Sequence, residues 1–136
     1  MIPASKAILP VLWKLYPNHP YLLHTTFEKP APEMLQNGYV GKPITGRGGG
    51  NIALYDKEGQ VLQQKSGKWD DDTYVFQELC LLPNLDGDRV QVCCFTTRNR
   101  FLGSVIRVDK NLIIDMDSDI YALRIVPDKN KKAESK

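Results

Sequence analysis

The sequence predicts an α+β fold: an antiparallel β-sheet preceded by a short helical segment. Two features point there. Apolar residues at helical spacing are confined to the N-terminal stretch, whereas from Tyr39 onward short apolar runs alternate with turn residues. With 136 residues and 42% hydrophobic content, the chain has material for one modest core and shows neither a second domain nor an internal repeat.

Ser5 is placed to cap a helix through KAILPVLWKLY, where Ile8, Leu9, Leu12, Leu15 and Tyr16 fall near one face. Pro10 lacks the N–H that a helix interior needs, so it predicts a kink or a split into two turns. PNHP, residues 17–20, ends this helix, and a second short one is predicted over 21–28, before the break KPAPE. Strands are then predicted at 39–45 and 51–55, the latter with Ile52 and Leu54 opposing Ala53 and Tyr55. DKEG turns the chain, with Gly59 suited to a left-handed position, and VLQQK returns as a hairpin partner. After the polar loop SGKWDDD, residues 73–82 read as a buried strand and PNLDGD as another turn. Residues 90–96 and 101–108 form a predicted hairpin around TRNR. Short strands at 112–114 and 120–126 close the sheet. Residues 1–126 thus form one unit, and 127–136 a disordered lysine-rich tail.

Charge and cysteines exclude several classes. The last eight residues, KNKKAESK, carry four lysines and one glutamate, whereas the whole chain has a formal charge of +2. The body is therefore close to −1, which argues against a nucleic-acid partner. Cys80, Cys93 and Cys94 are odd in number and two are adjacent, a poor disulfide framework, and no CxxC suggests zinc. No signal peptide and no apolar run long enough to span a bilayer is present, so the expected setting is cytoplasmic, without a membrane partner. His19 and His24 lack ligand spacing, and a structural role in the PNHP turn suits His19. DMDSD, residues 115–119, imitates the start of a calcium loop but lacks the glycine after Asp119, and Val126 stands where the bidentate glutamate belongs. No metal ligand is predicted.

Six of the ten glycines lie between positions 38 and 50, a local demand rather than general looseness. Consecutive glycines let backbone N–H groups converge on an anion with no Cβ in the way, and Lys42 and Arg47 flank the loop. Yet no Walker lysine–serine pair follows, and Asn51 stands where a GxGxxG match needs glycine. Spacing alone leaves two readings open: a phosphate cradle and a plain hairpin loop.

KAILPVLWKLYPNHPYLL, GYVGKPITGRGGGNI, YVFQELCLLP, GSVIRVDK and DIYALRI resemble, in this order, the C-terminal part of the glutathionylspermidine synthase family, over residues 5–126. The resemblance implies an ATP-grasp-like C-terminal half, from ligases that activate the glycine carboxylate of glutathione as an acylphosphate for attack by a polyamine. It implies ATP as cofactor, with Mg2+. Lys6 and Lys42 look like the two lysines on the nucleotide phosphates, where a compact ammonium offsets developing charge. Arg47, Gly48, Gly49, Gly50 and Asn51 resemble the mobile loop over those phosphates. Gln77, Glu78, Leu79 and Cys80 resemble the hinge strand that meets adenine through its backbone. Arg107 aligns with a catalytic arginine near the reacting phosphoryl group.

Departures accompany the match. Gly48 stands where the family commonly has a larger or acidic residue, which predicts a floppier loop, and Val108 follows Arg107 where an acid is common. The family's magnesium carboxylates and asparagine lie before KAILP. The chain is therefore expected to supply one jaw of the nucleotide clamp, its partners being nucleotide and a missing N-terminal half or a second chain. A non-catalytic remnant that binds a partner, or weakly binds nucleotide, is the alternative. Without the resemblance, Lys6 reads as an ordinary surface lysine, Lys42 as a strand-edge lysine and Arg107 as a partner of Asp109 or a cross-strand acid.

Overall fold

The computed structural model describes residues 5–69 and 73–126, so the expected tail over 127–136 and the DDD of the polar loop lie outside the described residues. The α-helix α1 (Ile8–Leu15) starts later than the predicted cap. Lys6 is drawn to the sheet instead: its backbone N–H donates to the Ile44 carbonyl at 3.0 Å. Ser5 Oγ accepts only a long bond from the Ala7 N–H, at 3.3 Å. Pro10 consequently falls in the first turn, where an N–H has no intrahelical acceptor in any case, and the helix continues through it unsplit.

Residues 21–28 are not helical. They hold the two-residue strand β1 (Thr25–Thr26), and the cause is local hydroxyl chemistry. Thr25 Oγ1 donates to the Leu23 carbonyl at 2.9 Å and Thr26 Oγ1 to the Lys29 carbonyl at 3.0 Å, bonds that compete with a helical backbone. A 3₁₀ turn, Met34–Gln36, then buries Met34.

The first sheet comprises β1, β2 (Tyr39–Pro43), β3 (Ile52–Tyr55), β4 (Val61–Lys65) and β5 (Tyr74–Glu78), in the order β1-β5-β2-β3-β4, with every pairing antiparallel. Strand periodicity sorts its two faces. Tyr39, Tyr55 and Phe76 gather on one, the tyrosines stacked with ring centroids 4.6 Å apart. Val40, Leu54 and Val75 are buried on the other, with Lys42 beside them. DKEG turns as expected, with Gly59 at φ 78°.

The second sheet runs β6-β7-β8-β9: β6 (Asn84–Leu85), β7 (Asp88–Thr97), β8 (Arg100–Asp109) and β9 (Asp119–Ala122). Arg98 and Asn99 both take positive φ, 43° and 65°, which is the two-residue turn whose twist suits a hairpin. β6 was not foreseen. Asn84 and Leu85 pair back onto Arg89 and Asp88 inside the predicted PNLDGD turn.

The predicted strand at 112–114 does not form. Its apolar side chains plug the space between the sheets, where Ile113 joins Val40 and Leu54 in a buried cluster flanked by Ile52, Leu79 and Leu112. Side chains take up amides at its two ends: the Leu112 N–H donates to Gln63 Oε1 at 2.7 Å, and just beyond it the Asp115 N–H donates to Ser118 Oγ at 2.8 Å.

Candidate functional site

Lys42 shares the inner face of β2 with Val40, and this face fronts a cleft of ≈ 260 Å³ between the two sheets. Lys42, Gly48, Gly49, Leu79, Cys80 and Arg107 line it together, although they come from four separate stretches of sequence. Aliphatic side chains form most of its wall, Leu54, Leu81 and Ile113 among them. Its two charged lining residues, Lys42 and Arg107, are both cations. Such a cleft suits a flat apolar body with an anionic end.

Lys42 is held from behind. Its ammonium donates to Gln77 Oε1 at 2.5 Å. Burial, reinforced by the nearby Lys6 charge, lowers its pKa to about 8. Lys6 lies beside the site rather than in its lining: its Nζ donates to the Gly46 carbonyl at 3.2 Å, and burial lowers its pKa as well. Two ammonium groups distant in sequence thus sit close enough to repel each other.

Arg107 projects from β8, where it pairs with Gln91 of β7, also a cleft residue that sequence reasoning missed. One terminal nitrogen, Nη2, donates to the Asp115 carbonyl. Its Nε is buried and has no hydrogen-bond partner among the described residues. Among the described residues, neither Asp109 nor a cross-strand acid forms an ion pair with it. Asp109 accepts from Ser118 Oγ at 2.6 Å and from the Asn111 backbone and side chain, and the Ser118 hydroxyl chiefly depresses its pKa.

Gly48 and Gly49 of the loop have close side-chain neighbours. Gly48 (φ 57°) and Gly49 (φ 74°) take left-handed conformations, and a Cβ at Gly48 would sit 2.4 Å from Met116 Cγ. A Cβ at Gly49 would meet Ile113 Cγ2 at 2.7 Å. The close contact at Gly48 is with Met116, itself 75% exposed, whereas Gly49 packs against the buried Ile113.

Other expected residues are placed elsewhere. Arg47 is exposed, and its carbonyl serves the Gly50 N–H at 3.2 Å. Gly50 packs under Trp69. Asn51, at φ 56°, turns its Oδ1 to the Trp69 N–H at 3.0 Å and lines a different cavity. Gln77 is buried with its amide committed to side chains, and Glu78 and Leu79 give their N–H groups to the His24 and Gly38 carbonyls. Leu79 and Cys80 do reach the cleft.

DMDSD is an internal hydrogen-bonded turn: Asp115 Oδ2 pairs with Lys65, and Oδ1 accepts from the Asp117 N–H at 2.8 Å. Among the described residues no three His, Cys, Asp or Glu side chains converge as a metal site, and no helix is long and apolar enough to cross a membrane. His19 Nδ1 accepts from the Tyr21 N–H at 3.2 Å within its turn.

A family model described as glutathionylspermidine synthase preATP-grasp matches residues 1–126. The chain belongs to that family. Its description names the preATP-grasp region, where the sequence predicted the C-terminal ATP-grasp portion. Among relatives, the bifunctional glutathionylspermidine synthetase/amidase of Escherichia coli (strain K12) is 44% identical over 126 residues, covering 93% of this chain and 20% of that protein. Trypanothione synthetase of Crithidia fasciculata is 35% identical over 125 residues, covering 92% and 19%. Glutathionylspermidine synthase of the same organism is 28% identical over 167 residues, covering 93% and 23%. The chain thus spans about a fifth of the length of the curated relatives it matches.

Proposed function

We propose that this chain is the ATP-binding portion of an ATP-grasp ligase that joins a carboxylate to an amine through an acylphosphate. The observation that carries the reading is the cleft between the sheets, which an apolar wall lines together with Lys42, Arg107 and two left-handed glycines. The unpaired Nε of Arg107 favours an anionic ligand, because burying a donor without a partner is costly unless something else accepts from it. In this reading the base packs among the leucines and meets the main chain at 80–82, while Lys42 and Lys6 face the phosphates. Bound ATP supplies the phosphoryl group that makes a carboxylate reactive toward an amine. Among the described residues no three His, Cys, Asp or Glu side chains converge to cage Mg2+. A second polypeptide segment, from the same or another chain, supplies the opposing jaw.

Calorimetry with magnesium-ATP on the wild-type chain and on Lys42→Ala tests the reading. Binding in the wild type that the substitution weakens at least about tenfold, the effect of one lost charge-assisted contact, is expected. Absence of heat at millimolar nucleotide overturns it in favour of a non-catalytic interaction module.

A further inference from the structure

We infer that Thr25 and Gln77 are positioning residues for Lys42, a buried side-chain relay that fixes the ammonium in the cleft without neutralising it. The inference rests on the nucleotide reading above for its purpose, but its geometry stands alone. Thr25 and Gln77 are direct partners across the β1–β5 pair, and Lys42 lies on the neighbouring strand β2, diagonal to Gln77 on the same face. Thr25 is 2% exposed and Gln77 8%.

The donors and acceptors permit one ordering. Thr25 Oγ1 donates to the Leu23 carbonyl at 2.9 Å, so its lone pairs face inward. Gln77 Nε2 donates to that oxygen at 3.1 Å, which leaves Gln77 Oε1 as the end that faces Lys42. A flipped amide would set NH2 against NH3+ and leave the threonine oxygen unserved. The relay therefore makes Lys42 accept this one tether. A glutamate in place of Gln77 would hold the ammonium equally well while cancelling the charge offered to an anion. The neutral amide holds it and leaves the charge available.

Among the described residues, the charges set around Lys42 are Lys6, which opposes its protonation, and Arg107, the second cation of the cleft. The Gln77 carbonyl is thus the interaction that favours the charged form. Losing it lowers the Lys42 pKa below its present value, and nucleotide affinity at neutral pH falls with it.

The test is the pH dependence of Lys42 acetylation by acetic anhydride, read by mass spectrometry on the full chain, alongside magnesium-ATP calorimetry. Thr25→Val removes the hydroxyl and keeps the shape; Thr25→Ser restores it. Thr25→Val is expected to lower the Lys42 pKa by up to roughly 1 unit, the size of one charge-assisted hydrogen bond; a fall from about 8 to about 7 leaves roughly half the ammonium at pH 7, so ATP affinity there falls about twofold, with Thr25→Ser near wild type. Gln77→Met, which leaves Thr25 bonded to Leu23, provides the same reading should Thr25→Val fail to fold. A purely structural threonine would lower the melting temperature with the Lys42 titration unmoved, and that result overturns the inference. Absence of ATP binding in the wild type would sink the functional reading alone, because the acetylation profile decides the relay without nucleotide.

Discussion

Lys65, at the end of the outer strand β4, forms an ion pair with Asp115 in the segment between β8 and β9, joining the two sheets. Two residues earlier on the same strand face, Gln63 accepts from the Leu112 N–H at 2.7 Å. These two attachments hold residues 112–115 against the first sheet, and Arg107 is fastened to the same segment through the Asp115 carbonyl. The cleft's width therefore depends on groups that do not line it.

Acid stability follows from this pair. The Lys65 hydrogen bond, ahead of the Asp117 backbone N–H, holds the Asp115 carboxyl below its ordinary pKa. A carboxylate depressed in the folded state contributes stability above its unfolded pKa, near 3.8, and loses it as pH falls through the lower folded value. Asp109, depressed chiefly by the Ser118 hydroxyl, acts in the same direction. Melting curves from pH 7 to pH 2 are expected to fall steeply at the acid end for the wild type and less steeply for Asp115→Asn. Parallel curves would show that the pair does not govern acid unfolding.

Lys42 makes stability rise with pH in the alkaline range as well. Its folded pKa is about 8 against an ordinary 10.5, so between these values the unfolded chain binds the extra proton and stability rises with pH. Nucleotide binding should decline over the same window as the ammonium is lost. Lys42→Met is expected to flatten the alkaline rise in chemical-denaturation stability. Lys42→Arg is expected to hold its charge past pH 9. An identical alkaline slope in wild type and Lys42→Met would contradict the assignment.

The strands β2 to β5, the β3–β4 hairpin and the long β7–β8 hairpin were legible because apolar alternation and turn residues coincide there, whereas the placing of β5 beside β2 was not. Three further features were not either. Residues 21–28 have helical spacing, but the Thr25 and Thr26 hydroxyls bond neighbouring carbonyls, and tertiary pairing with β5 does the rest. Residues 112–114 are as apolar as a strand, and nothing local reveals that their amides meet a glutamine from β4. Lys42, Gly48, Gly49, Leu79, Cys80 and Arg107, which line one cleft, were singled out because motif resemblance marks individual positions. Thr25, Gln91 and Asp115 carry no such mark, and only pairing register discloses them.

The two left-handed glycines should differ in their tolerance of a methyl group. At Gly48 the obstacle is Met116, 75% exposed and free to swing aside, so Gly48→Ala should cost little beyond the left-handed backbone penalty of about 1–2 kcal/mol. At Gly49 the obstacles are the buried Ile113 and the Ile114 carbonyl, 3.1 Å away, neither of which can move without disturbing the core. Gly49→Ala should cost about 1–3 kcal/mol more, as overpacking does. Urea denaturation of both variants measures the difference, and equal costs would mean that the 112–116 segment yields as a whole.

Arg107 separates stability from binding. Its unpaired Nε is a buried donor that lowers stability by about 1–3 kcal/mol, while the bond from Nη2 to the Asp115 carbonyl returns a comparable amount. Arg107→Met removes both, so the fold should change by less than about 1 kcal/mol. Nucleotide affinity, by contrast, should fall at least tenfold, since the cleft then keeps Lys42 as its one lining cation. Arg107→Lys should restore little, because an ammonium cannot span the Asp115 carbonyl and a phosphate oxygen as a planar fork does. Paired urea denaturation and calorimetry check this. Loss of stability in step with loss of affinity would make Arg107 a structural tie of β8 and leave its buried Nε unexplained.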